Sequence, residues 1–257
     1  MNTGTERKKS SASQKENIAL FGQNMTFAAK EAYKLLRTNL LFSLPEMTEG
    51  RGHVIGVTSS VRGEGKSTTV VNLASTLAEQ GERVLVVEGD LRLPSLHKKL
   101  RIVPKPGLSN ILVSRADPAP FLQKVRVGRV GDIDITFDIL ACGDIPPNPS
   151  ELIGSNRMKR RLEQFAGKYN FILLDLPPVT AVTDALVATK LVDGVVMVVR
   201  NEHADSGSLK EAMRQLKLVD AKVLGFVYTC AGSASSGYRK KYKYKYRYYY
   251  SDYESKG

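Results

Sequence analysis

The stretch SVRGEGKS, residues 60–67, follows a short apolar run and precedes a segment with helical spacing. Glycines at such a point let backbone N–H groups close around phosphate oxygens, and the positive end of the following helix favours the same anions. In a phosphate-binding loop (P-loop) of this kind, Lys66 reaches the β- and γ-phosphates and Ser67 ligates Mg²⁺. Ser60 stands where the pattern G-x-x-x-x-G-K-[ST] has its first glycine. The residues expected to hold a nucleotide are Ser60, Arg62, Gly63, Glu64, Gly65, Lys66, Ser67 and Thr68. A glycine-rich helix cap with no ligand is the alternative interpretation.

Acidic residues follow two further apolar runs. RVLVVE ends at Glu88, with Asp90 and Arg92 just beyond it, and FILLD ends at Asp175. A P-loop site needs carboxylates to hold magnesium and to accept the proton of the attacking group. The alternative is that these residues only cap the helices that follow. The expected metal ligands are Ser67, Asp90 and Asp175, and the expected catalytic residues are Lys66, Glu88, Asp90 and Arg92.

The elements that must position these residues alternate between strand and helix. Six short β-branched runs are separated, in most cases, by segments long enough for crossover helices, and a helical pattern precedes them at residues 26–42. The six runs span residues 53–58, 83–88, 135–140, 171–176, 194–199 and 222–227. Continuous apolar strands alternating with helices predict an α/β fold, with a mostly parallel twisted sheet flanked by helices on both faces, as in P-loop NTPases. The carboxyl ends of neighbouring parallel strands line one crevice, so the acidic residues are expected beside the P-loop. Composition divides the chain into a flexible arm (1–24), a P-loop domain (25–230) and a Gly/Ser linker with a tyrosine-rich tail (231–257).

Size and charge restrict the function classes. A chain of 257 residues with a formal charge of +12 is long enough for one sizeable domain and favours an anionic ligand or surface. Cys142 and Cys230 lie far apart without metal-like spacing, which is typical of free thiols. No apolar run approaches the length of a membrane span, and the polar N-terminus is unlike a signal peptide. A cytoplasmic location is therefore expected.

The end of the chain concentrates tyrosine. Eight of the eleven tyrosines lie between residues 238 and 253, interleaved with lysine and arginine, and residues 238–257 carry seven basic and two acidic side chains, a net charge of +5. An edge strand, contact with single-stranded nucleic acid and contact with an anionic membrane are three possible uses. A fourth is a set of phosphate acceptors: Tyr238, Tyr242, Tyr244, Tyr246, Tyr248, Tyr249, Tyr250 and Tyr253.

Taken together, these segments resemble the bacterial tyrosine kinases of capsule and exopolysaccharide synthesis, in the type whose cytoplasmic kinase is a separate chain from its transmembrane activator. The resemblance covers roughly residues 26–257. SSVRGEGKST is similar to that family's Walker A motif, EGDLRLP to its second aspartate motif (Walker A′) and LLDLPPV to its Walker B motif. GDIPPNPSELIGS resembles the loop before the Walker B strand, and EAYKLLRTNL resembles the N-terminal helix. The tyrosine cluster corresponds to the autophosphorylation tail.

The resemblance implies a protein tyrosine kinase that uses ATP and Mg²⁺ and phosphorylates its own tail in trans. It implies a transmembrane activator, or polysaccharide chain-length protein, that recruits the chain to the inner face of the plasma membrane. It also implies a homo-oligomer, as a ring, together with client enzymes of polysaccharide synthesis and a cognate phosphotyrosine phosphatase. Nucleic acid is not expected as a partner. Contacts between neighbouring subunits are expected at Glu31, Lys34 and Arg37.

Three positions depart from the family pattern. Glu88 replaces the usual first aspartate of the second motif, which leaves either Glu88 or Asp90 as the base. Lys34 replaces the middle arginine of E-x-x-R-x-x-R, so the bidentate fork of arginine is lost there. Thr229 lies where relatives often place an asparagine that reads adenine.

Two rival functions remain open. One is a partition-type ATPase that uses a basic tail to associate with membrane or DNA. The signature lysine of that group lies five residues before the P-loop lysine, and Val61 occupies this position here, which counts against it. The other rival is a scaffold that binds ATP without transferring its phosphate.

Overall fold

The computed structural model describes residues 25–46, 50–114, 117–130, 132–203 and 205–230. The predicted arm and tail, with all eight proposed acceptor tyrosines, lie outside these ranges. Seven strands and eight α-helices occur within them. In chain order they are α1 Phe27–Ser43, β1 His53–Ser59, α2 Lys66–Ala78, β2 Val84–Glu88, α3 Leu96–Leu100, α4 Leu108–Val113, β3 Gln123–Val130, β4 Ile133–Leu140, α5 Pro149–Ile153, α6 Asn156–Ala166, β5 Phe171–Asp175, α7 Asp184–Ala188, β6 Gly194–Arg200, α8 Ser206–Leu218 and β7 Val223–Thr229.

The strands form one sheet in the order β3-β4-β2-β5-β1-β6-β7. Every neighbouring pair is parallel except β3 and β4. The predicted fold class, a mostly parallel sheet with helices on both faces, is confirmed. The strand that leads into the P-loop, β1, lies between β5 and β6, so the loop opens at the centre of the sheet.

The central strands are apolar throughout because helices cover both of their faces. Every residue of β1, β2 and β5 is buried. Along β5, Ile172 and Leu174 join one core cluster, which includes residues of α6 and α8, whereas Phe171 and Leu173 join another, which includes residues of α2. This alternation explains why the sequence shows continuous apolar runs instead of an apolar–polar pattern.

The edge strand β3 was absent from the six predicted strands. Its sequence, QKVRVGRV, alternates exposed Lys124 and Arg126 with partly buried Val125 and Val127. It pairs antiparallel with β4, and a register shift occurs between Arg126 and Gly128. A half-exposed edge strand lacks the apolar run that identified the others, and its cations discourage pairing with a further strand. The period-two alternation was the signal by which it could have been found.

Helix α1 begins one residue after its predicted start, where the Thr26 hydroxyl accepts the Ala29 amide. It packs on α2 and β7. Its apolar residues do not form a single buried face, since Leu40 is buried while Leu35 is 51% exposed. Two of the predicted subunit contacts, Glu31 and Lys34, form an ion pair at 2.9 Å.

The third predicted subunit contact is used within the chain. The Arg37 guanidinium donates to the carbonyl oxygen of Thr76 near the end of α2, at 2.7 Å. Arg37 therefore ties α1 to the helix that starts at the P-loop. A subunit interface at these positions stays a prediction.

The two cysteines lie in different surroundings and form no disulfide with each other. Burial, together with the nearby Glu88 carboxylate, raises the pKa of the Cys142 thiol to about 12, whereas Cys230 is exposed. We expect iodoacetamide at pH 8 to alkylate Cys230 in the native protein and to reach Cys142 only after unfolding, because the thiolate is the reactive form. Peptide mass spectrometry with and without denaturant measures this, and native alkylation of Cys142 at the rate of Cys230 would contradict it.

None of the helices in the described ranges combines the length and the hydropathy that crossing a membrane requires.

Candidate nucleotide-binding and active site

The predicted P-loop connects β1 to α2 and depends on glycine at two positions. Gly63 and Gly65 have φ angles of +81° and +97°, in the left-handed region that other residues rarely adopt. A Cβ atom at Gly63 would also lie 2.9 Å from the His203 ring. The turn therefore needs both glycines, and it ends where Lys66 begins α2.

Glu64 stabilises the P-loop through hydrogen bonds of its side chain. Its side chain is fully buried, and one carboxylate oxygen accepts hydrogen bonds from the Ser60 hydroxyl at 2.9 Å and the Val61 amide at 2.8 Å. The other oxygen accepts the Arg200 amide at 3.2 Å. Ser60 and Glu64, both predicted to hold nucleotide, thus bond to each other and shape the loop. At the position where the P-loop pattern has its first glycine, Ser60 therefore provides a hydroxyl that donates a hydrogen bond to Glu64.

Strands β6 and β7 hold the loop from one side. Thr229 donates its hydroxyl to the Glu64 carbonyl oxygen at 2.9 Å, and Arg200 donates to the Gly63 carbonyl oxygen at 3.1 Å. The Nε2 atom of His203 lies 2.7 Å from the Arg62 carbonyl oxygen. Sequence reasoning missed Arg200 and His203, because nothing in the local pattern indicates a contact across about 140 residues. Thr229, singled out for the base of the nucleotide, supports the P-loop backbone.

Three predicted residues meet where α2 begins. Lys66 is 9% exposed, and its charge favours the ionised form of Asp175. The Ser67 hydroxyl likewise lowers the pKa of the Asp175 carboxyl. The sheet register explains the proximity, since Asp175 at the end of β5 pairs with Val57 of β1, two residues before the P-loop.

Asp175 is 2% exposed, and its Oδ1 atom has no hydrogen-bond partner among the described residues. Burial raises the pKa of this carboxyl to about 7, although Lys66 and Ser67 act in the opposite direction. A buried carboxylate oxygen without a partner, next to a serine hydroxyl, fits a hard cation such as Mg²⁺. That ion is commonly held by one or two protein oxygens, with water and phosphate completing its shell.

Glu88 lies beside Asp175, with which it pairs in the sheet register. It is fully buried, and its Oε1 atom accepts the amides of Ser95 at 2.7 Å and Leu96 at 2.6 Å. Its Oε2 atom accepts the Cys142 amide at 3.1 Å. Both oxygens are therefore engaged with backbone, which leaves Glu88 poorly placed to take a proton from a substrate.

Asp90 lies in the loop after β2 and is partly exposed. Its Oδ1 atom accepts the Leu93 amide at 3.0 Å, which closes a tight turn. Of the two predicted bases, Asp90 has the access to a substrate that Glu88 lacks.

Arg92 is bonded to Asp184 at the start of α7. The guanidinium donates to both carboxylate oxygens, at 2.9 and 3.1 Å, and to the Ser150 hydroxyl at 3.2 Å. Asp184 is fully buried and also accepts the Ser150 hydroxyl. The bonds join the loop that carries Asp90 to α5 and α7, so Arg92, predicted to be catalytic, has a structural partner.

Replacing Arg92 by alanine is expected to lower the free energy of unfolding by about 2 kcal/mol, because it leaves the buried Asp184 carboxylate without its cation. The expected loss is below that for a fully buried pair, since the Arg92 side chain is 39% exposed. Urea unfolding without nucleotide measures it. Arg214→Ala is the control, because Arg214 pairs with Glu211 on the exposed surface of α8, where water screens the pair and its loss should change the stability much less. Equal stability of the two variants would contradict a structural role for the Arg92–Asp184 pair.

Comparison with known proteins identifies the family. The domain family described as the CobQ/CobB/MinD/ParA nucleotide binding domain matches residues 55–241. Tyrosine-protein kinase YwqD of Bacillus subtilis is 32% identical over 197 residues, which cover 77% of this chain and 79% of that protein. The putative tyrosine-protein kinase CapB of Staphylococcus aureus is also 32% identical, over 77% of this chain and 82% of that protein.

Among solved structures, the chimerical protein CapA2B2 superposes with a TM-score of 0.70 at 31% identity, covering 82% of this chain and 93% of that one. The chain is thus similar to CapA2B2 in both sequence and fold over most of its length. The resemblance drawn from the motifs is confirmed, and the chain belongs to the bacterial tyrosine-protein kinases, within this nucleotide-binding family.

Proposed function

We propose that the chain transfers the γ-phosphoryl group of ATP to tyrosine hydroxyls, its own tail tyrosines among them. The observation that carries the proposal is the meeting of Lys66, Ser67 and Asp175 at the end of the central strands, beside the loop of Asp90. Phosphoryl transfer requires little beyond positioning and charge stabilisation, and these side chains provide both. Membership of the tyrosine-protein kinases supports tyrosine as the acceptor.

In this mechanism the P-loop amides and Lys66 hold the phosphates, and Lys66 compensates charge that develops on the transferred group. Ser67 and Asp175 would hold Mg²⁺, which would supply positive charge to neutralise the phosphates. Asp90 lies in the same site and is also a proposed ligand of the metal ion. Each assignment rests on proximity to the P-loop and on the unpartnered oxygen of Asp175.

Asp90 is the better candidate for the base. A general base must reach the proton that it accepts. The Asp90 carboxylate is partly exposed at the rim of the site, whereas three backbone amides engage Glu88. We therefore assign to Asp90 the proton of the attacking tyrosine.

The tail is the proposed acceptor. Its net charge of +5 favours approach to a site that carries ATP, and each phosphate adds about −1.5 to −2 charges. Three phosphotyrosines would therefore cancel the charge and further ones would reverse it. The reversal would release the tail from the site and loosen a ring of subunits.

The proposed partners follow from the family. They are a transmembrane activator that recruits the chain to the inner face of the plasma membrane, further copies of the chain in a ring, client enzymes of capsular or exopolysaccharide synthesis, and a phosphotyrosine phosphatase. The partition-type ATPase has less support, because both relatives named above are tyrosine-protein kinases.

Mixing two full-length variants tests transfer in trans. A donor with all eight tail tyrosines replaced by phenylalanine keeps the site, and an acceptor with Lys66→Ala keeps the tail. With Mg·ATP, and with an activator's cytoplasmic segment added in a parallel reaction, we expect phosphotyrosine on the acceptor only. An acceptor that stays unmodified in both reactions, while the donor hydrolyses ATP, would favour a partition-type ATPase. ATP binding with neither product would favour the scaffold.

A further inference from the structure

Ser95 stands at the N-cap of α3, where a serine side chain usually accepts an amide of the first turn. Its hydroxyl makes no capping bond to the described residues of that helix. Instead, its Oγ atom lies 3.1 Å from the Oγ atom of Ser67 in the P-loop. Ser95 is therefore part of the phosphate site, although no motif includes it in that role.

Glu88 takes over the capping that Ser95 does not provide. Its Oε1 atom accepts the amides of Ser95 and Leu96, and its Oε2 atom accepts the amide of Cys142. Three bonds to a fully buried carboxylate fix the backbone of Ser95 relative to β2 and to the segment after β4. The Ser95 side chain is thereby left to face Ser67. The longer side chain of Glu88, compared with aspartate, provides this reach.

Either serine can be the donor in the Ser67–Ser95 bond. A serine oxygen has two lone pairs, so in both directions the Ser67 oxygen keeps at least one lone pair that this bond does not use. The 3.1 Å contact therefore restrains the Ser67 hydroxyl and leaves its oxygen able to bind a cation.

We propose that Ser95, held by Glu88, is a positioning residue of the magnesium site, which sets the Ser67 hydroxyl so that its free lone pair faces the cation. The proposal rests on the proposed function for the presence of Mg²⁺ and nucleotide. It assigns to Glu88 a role in positioning in place of proton transfer. Groups that orient metal ligands typically affect metal affinity by about 10- to 100-fold.

Binding of a fluorescent ADP analogue to the full chain, titrated with MgCl₂, tests the proposal without phosphate transfer. Ser95→Ala is expected to raise the half-saturating Mg²⁺ concentration about tenfold and to leave the affinity in EDTA unchanged. Ser95→Thr keeps the hydroxyl and should restore most of the Mg²⁺ response. Glu88→Ala removes the oxygen that accepts the Ser95 and Leu96 amides, and it should raise the half-saturating concentration as Ser95→Ala does. Ser155→Ala removes a serine that does cap its helix, α6, and should leave the Mg²⁺ response unchanged.

Two results would overturn the proposal. One is a Ser95→Ala variant with the wild-type Mg²⁺ response. The other is a variant that loses as much affinity in EDTA as in Mg²⁺, since this would indicate a general disturbance of the P-loop. If the proposed function is wrong, the result is distinguishable, because the wild-type chain itself would bind the nucleotide without any Mg²⁺ dependence.

Discussion

Lys66→Ala is expected to lower the rate of phosphate transfer to tyrosine by about 10³-fold. Lys66 begins α2, is 9% exposed and favours the ionised form of Asp175, so its charge lies at the proposed phosphate and metal site. Removing one preorganised group that stabilises developing charge typically costs 10²–10³-fold, and a charged group lies at the upper end. Initial rates of phosphotyrosine formation at saturating ATP measure the effect.

Lys159→Ala is the matched control for Lys66→Ala. It removes the same charge from an exposed position on α6, so the rate should stay within about twofold of wild type. A Lys66→Ala variant that keeps more than a tenth of the wild-type rate would contradict the role assigned to this lysine.

Asp175→Asn is expected to abolish phosphate transfer and at the same time to stabilise the nucleotide-free protein. The carboxylate is buried, one of its oxygens has no partner among the described residues, and burial raises its pKa to about 7. A neutral amide of the same shape removes the cost of burying the charge, by about 1–2 kcal/mol, which corresponds to about 2–8 °C in Tm. The midpoint of thermal unfolding at pH 8, in EDTA and without nucleotide, measures the gain.

Asp184→Asn is the control with the opposite sign. Asp184 is equally buried, but it is paired with Arg92 through two hydrogen bonds. Its replacement should lower Tm. Mg·ADP should raise Tm in the wild type and have little effect in Asp175→Asn, because that variant lacks the proposed metal ligand. A fall in Tm for Asp175→Asn, like that for Asp184→Asn, would show that the carboxylate is not a source of instability.

Much of the fold could be predicted from the sequence because its strands are buried on both faces. Each central strand appears as an apolar run, and β1, β2 and β5 are found within one residue of their predicted limits. The exposed edge strand β3 was missed for the same physical reason, since its valines alternate with cations. The topology of parallel strands then placed Asp175 beside the P-loop without any structural information.

The bonds within the site could not be predicted. Glu88 was expected near the phosphates on the basis of its place after a strand, but which amides its oxygens accept depends on how α3 and the segment around Cys142 pack. Arg92 similarly looked like a catalytic cation until its buried partner Asp184 was located 92 residues away. Such contacts join distant parts of the chain, and local residue patterns carry no information about them.

The central claim is that the tail tyrosines receive phosphate at this site. Mass spectrometry of residues 238–257, after incubation of the full chain with Mg·ATP and an activator's cytoplasmic segment, tests it most directly. The account predicts phosphate on several of the eight tyrosines, and none when Lys66 is replaced by alanine. A tail that stays unmodified while the wild-type chain binds and hydrolyses ATP would contradict it.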